Sequence, residues 1–232
     1  YGEIWLAGGQ SNMELELQNS KNGAVAVTEA HNELLRFYYT PKVSYLCDEL
    51  YEQEEKSCWE LCCPENVGRW SAVGYYFARK LAAQLDVPVG IIGCNWGGTS
   101  ASCWMSREAL ENDKVISSYV EEYDAIVAEQ DFDAYCKERE EYIVYQAEFD
   151  KNCKHYYETT PNPTWEGALE VCGENKYPGP MGPRSEYRPA GLYETMIQRI
   201  APYTLAGFLY YQGEEDDKKP RSYYNLLTRL IR

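Results

Sequence analysis

The sequence predicts an α/β fold: three layers, α/β/α, around a mainly parallel, doubly wound sheet, with a helical hairpin inserted. Three observations carry that prediction. Apolar runs of strand length occupy residues 4–7, 87–94 and 205–211, and each runs into a glycine-bearing loop. An amphipathic helical pattern over 71–85 leads straight into the second run, and strand–helix–strand in that order makes parallel neighbours. Residues 113–157 contain neither glycine nor proline and are rich in Glu and Tyr, which suits helices and not strands.

In chain order, residues 4–7 read as a buried strand, and Glu14 onward to residue 30 holds a short helix and loop. Residues 35–39 form a second strand, stopped by Pro41. The stretch 47–70 lacks periodicity and reads as a surface excursion. Ser71 then caps a helix to residue 85, whose apolar Val73, Phe77, Leu81 and Leu85 fall at helical spacing. A fully apolar strand over 87–94 opens onto Asn95-Trp96-Gly97-Gly98-Thr99, and 106–112 is a short helix. Two long helices over 113–157, broken near Gln130-Asp131, make the hairpin insertion. Residues 158–190, punctuated by proline and glycine, read as an irregular loop. A helix over 192–200 is ended by Pro202, the last strand covers 205–211, and a helix follows over 223–231. All of 1–232 then forms one domain.

The chain of 232 residues carries 22 basic and 37 acidic side chains, a formal charge of −15. That balance argues against nucleic-acid binding and attachment to anionic membranes, which need basic surface to displace counterions. No apolar run approaches the ~18 residues of a membrane span. Nine cysteines are an odd number, so at least one is unpaired within the chain. Cys58 with Cys62-Cys63 has no second pair or histidine nearby, which argues against zinc. Reduced thiols, and with them a cytoplasmic location, are the simpler reading.

Chemistry concentrates at Gly9-Gln10-Ser11-Asn12-Met13-Glu14. A serine on a tight turn between a buried strand and a helix presents its hydroxyl, and its backbone N–H, at the carboxyl edge of the sheet. An acyl-transfer nucleophile needs that placement. Ser11-x-x-Glu14 is equally a capping box, in which the serine serves only the first helical turn. Gly97 and Gly98 follow another strand, either as a plain turn or as backbone N–H donors to an oxyanion. Gln212, at the end of the last strand, and Asn95 carry amides suited to a further donor. Glu214 has three readings: orienting a histidine, holding a substrate hydroxyl, or a solvated acid beside Glu215-Asp216-Asp217. In an open parallel sheet these loops share one edge, where ligands bind.

Gly9-Gln10-Ser11-Asn12-Met13-Glu14, Asn95-Trp96-Gly97-Gly98-Thr99 with Trp104, and Tyr211-Gln212-Gly213-Glu214 together resemble, in order, the blocks of the sialate O-acetylesterase-like branch of the SGNH hydrolases. The resemblance implies an SGNH, flavodoxin-like fold. It further implies a serine esterase that removes O-acetyl groups from carbohydrate, sialic acid first, through an acetyl-serine intermediate on Ser11. Glu214 joins the catalytic set, and Gly97, Gly98, Gln212, Asn95 and Gln10 form the oxyanion and substrate-binding set. The expected partner is an acetylated carbohydrate, with no metal, organic cofactor, nucleic acid or membrane. An acetyl-xylan-type esterase and a non-catalytic carbohydrate-binding lobe are the rival readings. At Ser102 the chain departs from the branch, which often carries glutamate there. The branch's base lies in an Asp-x-x-His block, whereas His31 and His155 stand outside such a context. The chain is therefore expected to be a fragment cut at both ends, weak or inactive by itself.

Overall fold

The protein is described here by a computed structural model covering residues 2–232. It divides into two compact units, one of Tyr1–Glu121 with Glu186–Arg232 and the other of Glu122–Ser185.

The first unit holds a five-stranded sheet in the order β3-β2-β4-β1-β5. Its strands are β1 (Glu3–Gly9), β2 (Asn32–Tyr39), β3 (Glu60–Cys62), β4 (Val89–Asn95) and β5 (Gly207–Tyr211). β2, β4, β1 and β5 run parallel, and β3 joins β2 antiparallel. The register pairs Trp5 with Ile91 and Leu6 with Ile92. Successive side chains alternate faces, so one face carries Trp5, Ala7, Phe37 and Ile91 and the other Leu6, Ile92 and Cys94. β4 is buried along its whole length, as a central parallel strand must be. Full burial of Ile91 and Ile92 stabilises the fold by about 1.5–3 kcal/mol each.

α5 (Ala72–Leu85) covers the first face, capped by Ser71, whose hydroxyl accepts from the Gly74 N–H at 3.1 Å. The buried stripe of α5 is Ala72, Gly74, Tyr75, Ala78 and Ala82. Val73, Phe77 and Leu81 are only partly buried and Leu85 is exposed, which corrects the predicted stripe. The reason is close approach: a Cβ on Gly74 would lie 3.2 Å from both Ile91 and Phe37. The opposite face is covered by the turn Ala101–Trp104 and by a π-turn, Tyr193–Ile197, running into α10 (Gln198–Ile200). The predicted helix over 192–200 thus contains a wide turn. These three layers form the α/β/α arrangement.

Other sequence expectations need correcting. The stretch 47–70 holds α3 (Asp48–Lys56), the edge strand β3 and α4 (Pro64–Val67), and it ends on Trp70, which is buried. β2 starts three residues before the predicted strand, at Asn32. β5 lies at an edge, and its Phe208 and Tyr211 face solvent.

The helix α7 (Ser118–Ala128) leads from the first unit into the second. There α8 (Phe132–Thr159) starts at Asp131, whose carboxylate accepts from the Ala134 N–H at 2.9 Å. The supposed irregular loop over 158–190 contains α9 (Trp165–Cys172), capped by Thr164. Phe149, Cys153 and Ala168 form the small core joining α8 and α9. All nine cysteines are free thiols. Among the described residues no helix is long and apolar enough to cross a membrane.

Candidate active site

β1, β4 and β5 end side by side, with Gly9 paired to both Asn95 and Tyr211. Beyond that edge the chain turns sharply. Gly9 has φ of +130°, and a Cβ there would lie 2.1 Å from the Tyr211 carbonyl oxygen, so only glycine fits. The Gln10 N–H donates to the Tyr211 carbonyl at 3.2 Å, and the Trp96 N–H donates to the Gly9 carbonyl at 3.0 Å.

The short helix α1 (Ser11–Glu14) starts immediately. Gln10 holds the cap position with no side-chain bond, so Ser11 stands inside the first turn and is not its cap. The capping-box alternative fails on both residues. Ser11 is exposed, and the Glu14 carboxylate reaches across to the Gly97 N–H at 2.5 Å and to the Lys42 ammonium. Ser11 and Gly97 are neighbours, since a Cβ on Gly97 would lie 3.6 Å from the Ser11 Cβ. Gly98 has φ of +73°, the left-handed conformation that glycine favours. As a first-turn residue, Ser11 has a backbone N–H without an intrahelical acceptor.

The Gln212 Nε2 ties the three loops together. It donates to Gln10 Oε1 at 2.7 Å, to the Thr99 carbonyl at 2.7 Å and to Asp216 Oδ2 at 3.0 Å. Gln10 is buried at 3% exposure, and its Oε1 also accepts from the Glu215 N–H. Asn95 is fully buried, with its Nδ2 on the Ala7 carbonyl at 3.2 Å, where it straps β4 to β1. Glu214 is exposed and accepts from the Asn12 Nδ2.

Asp216 is the residue that sequence reasoning missed. It is 2% exposed, not a solvated acid. Its carboxylate accepts from the Ser100 hydroxyl at 2.6 Å, the Ala101 N–H at 3.1 Å and Gln212. Ser102, the departure from the branch pattern, stands 3.0 Å from the Ser100 hydroxyl, so Asp216 supplies a carboxylate to that corner. Burial, and then the Asp216 charge, push the phenol of Tyr210 upward, and Tyr223 shifts the same way.

The histidines lie elsewhere. His31 immediately precedes β2 and so stands at the amino edge of the parallel sheet, opposite Ser11. His155 is exposed on α8 in the second unit. No group of His, Cys, Asp and Glu suited to a metal ion occurs among the described residues.

A serine on a strand–turn–helix at the carboxyl edge of a doubly wound sheet, facing a glycine loop, defines an SGNH-like α/β fold. The chain belongs to the carbohydrate esterase, sialic acid-specific acetylesterase family, whose model matches residues 1–160. It is similar to the sialate O-acetylesterases of Pongo abelii and Homo sapiens, at 30% identity over 122 residues in each case. The rat protein of that name is 27% identical over 117 residues. These alignments cover 48% of this chain and 22% of each relative. A carbohydrate acetylesterase from Xanthomonas citri shares the fold with a TM-score of 0.61 at 24% identity, over 100% of this chain and 37% of that one.

Proposed function

We propose that this chain carries the nucleophile portion of a serine esterase that removes O-acetyl groups from carbohydrate. The observation behind the proposal is the exposed Ser11, released from capping and set beside Gly97. The Ser11 hydroxyl attacks the acetyl carbonyl, the ester C–O bond breaks and the sugar leaves as its free hydroxyl with the proton given up by serine, and water then cleaves the acetyl-serine to acetate and free Ser11. The Ser11 N–H is the first oxyanion donor. The Gly97 N–H is the second-donor candidate, and it serves an oxyanion only once the Glu14 carboxylate, which holds it at 2.5 Å, has moved off it. One such donor is worth ~3 kcal/mol of barrier. Gly98 shapes this loop, and Gln212 with Gln10 holds it against β5. Glu214, which accepts from Asn12 and is exposed, takes a sugar hydroxyl in this reading. The relatives' names put O-acetylated sialic acid forward as the sugar, with acetylated xylan as the second candidate.

p-Nitrophenyl acetate and acetylated sugars test the proposal on wild type and Ser11→Ala. With neither histidine beside Ser11, this chain alone should turn over weakly, and Ser11→Ala should remove whatever rate exists. A rate that survives Ser11→Ala refutes the nucleophile.

A further inference from the structure

Two of the free thiols, Cys153 and Cys172, meet in the second unit. Cys153 lies on α8 at helical spacing from Phe149 and Tyr156, so the three share one face. Cys172 ends α9 on the face that carries Ala168 and Leu169. These faces pack against each other in the small core of this unit. Contacts on either side fix their register. Toward the connecting turn, a Cβ on Gly167 would lie 2.2 Å from the Tyr156 hydroxyl oxygen. At the other end, the Tyr145 hydroxyl donates to the Glu174 carbonyl at 2.7 Å. Cys153 falls between Tyr145 and Tyr156, and Cys172 between Gly167 and Glu174, so the antiparallel helices bring the two thiols level. The Cys153 thiol donates a hydrogen bond to the Cys172 sulfur.

The pair is asymmetric. Burial, and then that hydrogen bond, push the Cys153 thiol up to about 11, so it stays protonated near neutral pH. Cys172 is only half-buried, and a surface groove lined by Trp165, Leu169 and Gly173 runs along its end of α9. Cys62 and Cys63 also lie together, but as sequence neighbours their Cα atoms are about 3.8 Å apart, closer than a relaxed disulfide takes.

We propose that Cys153 and Cys172 form a dithiol oxidation site, which a low-molecular-weight disulfide such as glutathione disulfide converts into a staple between α8 and α9. The Cys172 thiolate attacks one sulfur of the reagent. That S–S bond breaks, and one glutathione leaves as a thiolate that takes up the proton Cys172 lost. Cys153 then gives up its proton and attacks the Cys172 sulfur of the mixed disulfide. The second glutathione leaves and takes up that proton. The protein loses two electrons and two protons, and glutathione disulfide gains both as two thiols. The buried thiol needs no access to the reagent, because the sulfur it attacks is already beside it. The new bond closes residues 154–171 into a loop and limits how far α9 can open from α8.

The test incubates the full chain with glutathione disulfide at pH 8, alkylates it and digests it with trypsin, which cuts after Lys154 and so separates the two cysteines. Mass spectrometry should find their peptides joined and two hydrogens lighter than the reduced pair. Hydrogen exchange in α9 should slow by about tenfold or more, and dithiothreitol should reverse both changes. Cys153→Ser should stop with one glutathione on Cys172, and Cys172→Ser should leave Cys153 unmodified. Cys172→Ser alters the less buried position, so it keeps the test in force should Cys153→Ser fail to fold. Wild type that keeps glutathione on Cys172 without a cross-link overturns the proposal. So does a chain in which both thiols stay unmodified, a cross-link from either cysteine to another thiol, or a cross-link that leaves α9 exchange unchanged.

Discussion

Replacing Asp216 with alanine probes the joint between the two loops that face Ser11. The carboxylate receives three donors, at 2.6 Å from Ser100, 3.1 Å from Ala101 and 3.0 Å from Gln212. Hydrogen bonds to charged groups contribute about 1.5–3 kcal/mol each, but not all three are lost outright. The Ser100 hydroxyl keeps Ser102 at 3.0 Å, and Gln212 keeps Gln10 and Thr99. The Ala101 N–H alone is left buried without an acceptor. Relief of a buried charge offsets part of the loss. The net expectation for Asp216→Ala is therefore a destabilisation of about 2–4 kcal/mol. Urea unfolding followed by tryptophan fluorescence reads this, because Trp70 and Trp104 lie in the core of the first unit. With slopes of roughly 1–3 kcal/mol/M, the midpoint should fall by about 1 M or more. A double-mutant cycle with Ser100→Ala should show coupling of ~1 kcal/mol. A variant within ~0.5 kcal/mol of wild type, with no coupling, would show that the carboxylate is hydrated and that its place in the joint is misassigned.

Gly9→Ala should destabilise by ~3 kcal/mol or more, or prevent folding, because its Cβ meets the Tyr211 carbonyl at 2.1 Å in a backbone conformation that strains alanine; thermal unfolding reads it. On α5, Ala82→Leu should cost about 1–3 kcal/mol by overpacking, whereas Leu85→Lys should stay within ~0.5 kcal/mol, and denaturant midpoints rank the two. Burial pushes the Cys94 and Cys103 thiols up to about 12, so Ellman's reagent at pH 8 should label exposed Cys58 and spare both until unfolding. In the unfolded chain these thiols ionise at their ordinary value of 9.0, so the folded state holds more protons above that pH. Stability should fall between pH 9 and 12 by about 1.4 kcal/mol per pH unit for each thiol, a slope that Cys94→Ala would reduce.

The sequence displayed the parallel core because β1 is an apolar run closed by Gly8-Gly9, β4 is an apolar run that leads into Gly97-Gly98, and Ser71 caps α5 visibly. It hid β3, whose three residues are too few to show a period of two. It hid α3 as well, since only Leu50 of that helix is buried and the apolar repeat never appears. α9 was masked by the prolines and glycines on either side, although Thr164 is a sound cap signal. On α5 the large apolar residues make the visible helical repeat, while tight packing against the sheet selects the small ones. At the site, the positions of Ser11, Gly97 and Gln212 followed from strand order alone. What could not be read was who holds whom: that Glu14 reaches Gly97, or that one of four consecutive acids, Asp216, turns inward. Those contacts depend on how separate loops meet, and local sequence carries no record of it.

The two borders of the sheet are unequally protected. β3 is short, antiparallel and flanked by charge, with Glu60 bound to Arg69, so it offers little for another strand to copy. β5 has neither charge nor proline, and Phe208 and Tyr211 stand 69% and 49% exposed along it. Such a border has room to pair with one further strand, and for this chain taken by itself self-association at high protein concentration should begin there. A lysine in place of Phe208 is the change that would keep molecules apart without touching the edge that carries Ser11.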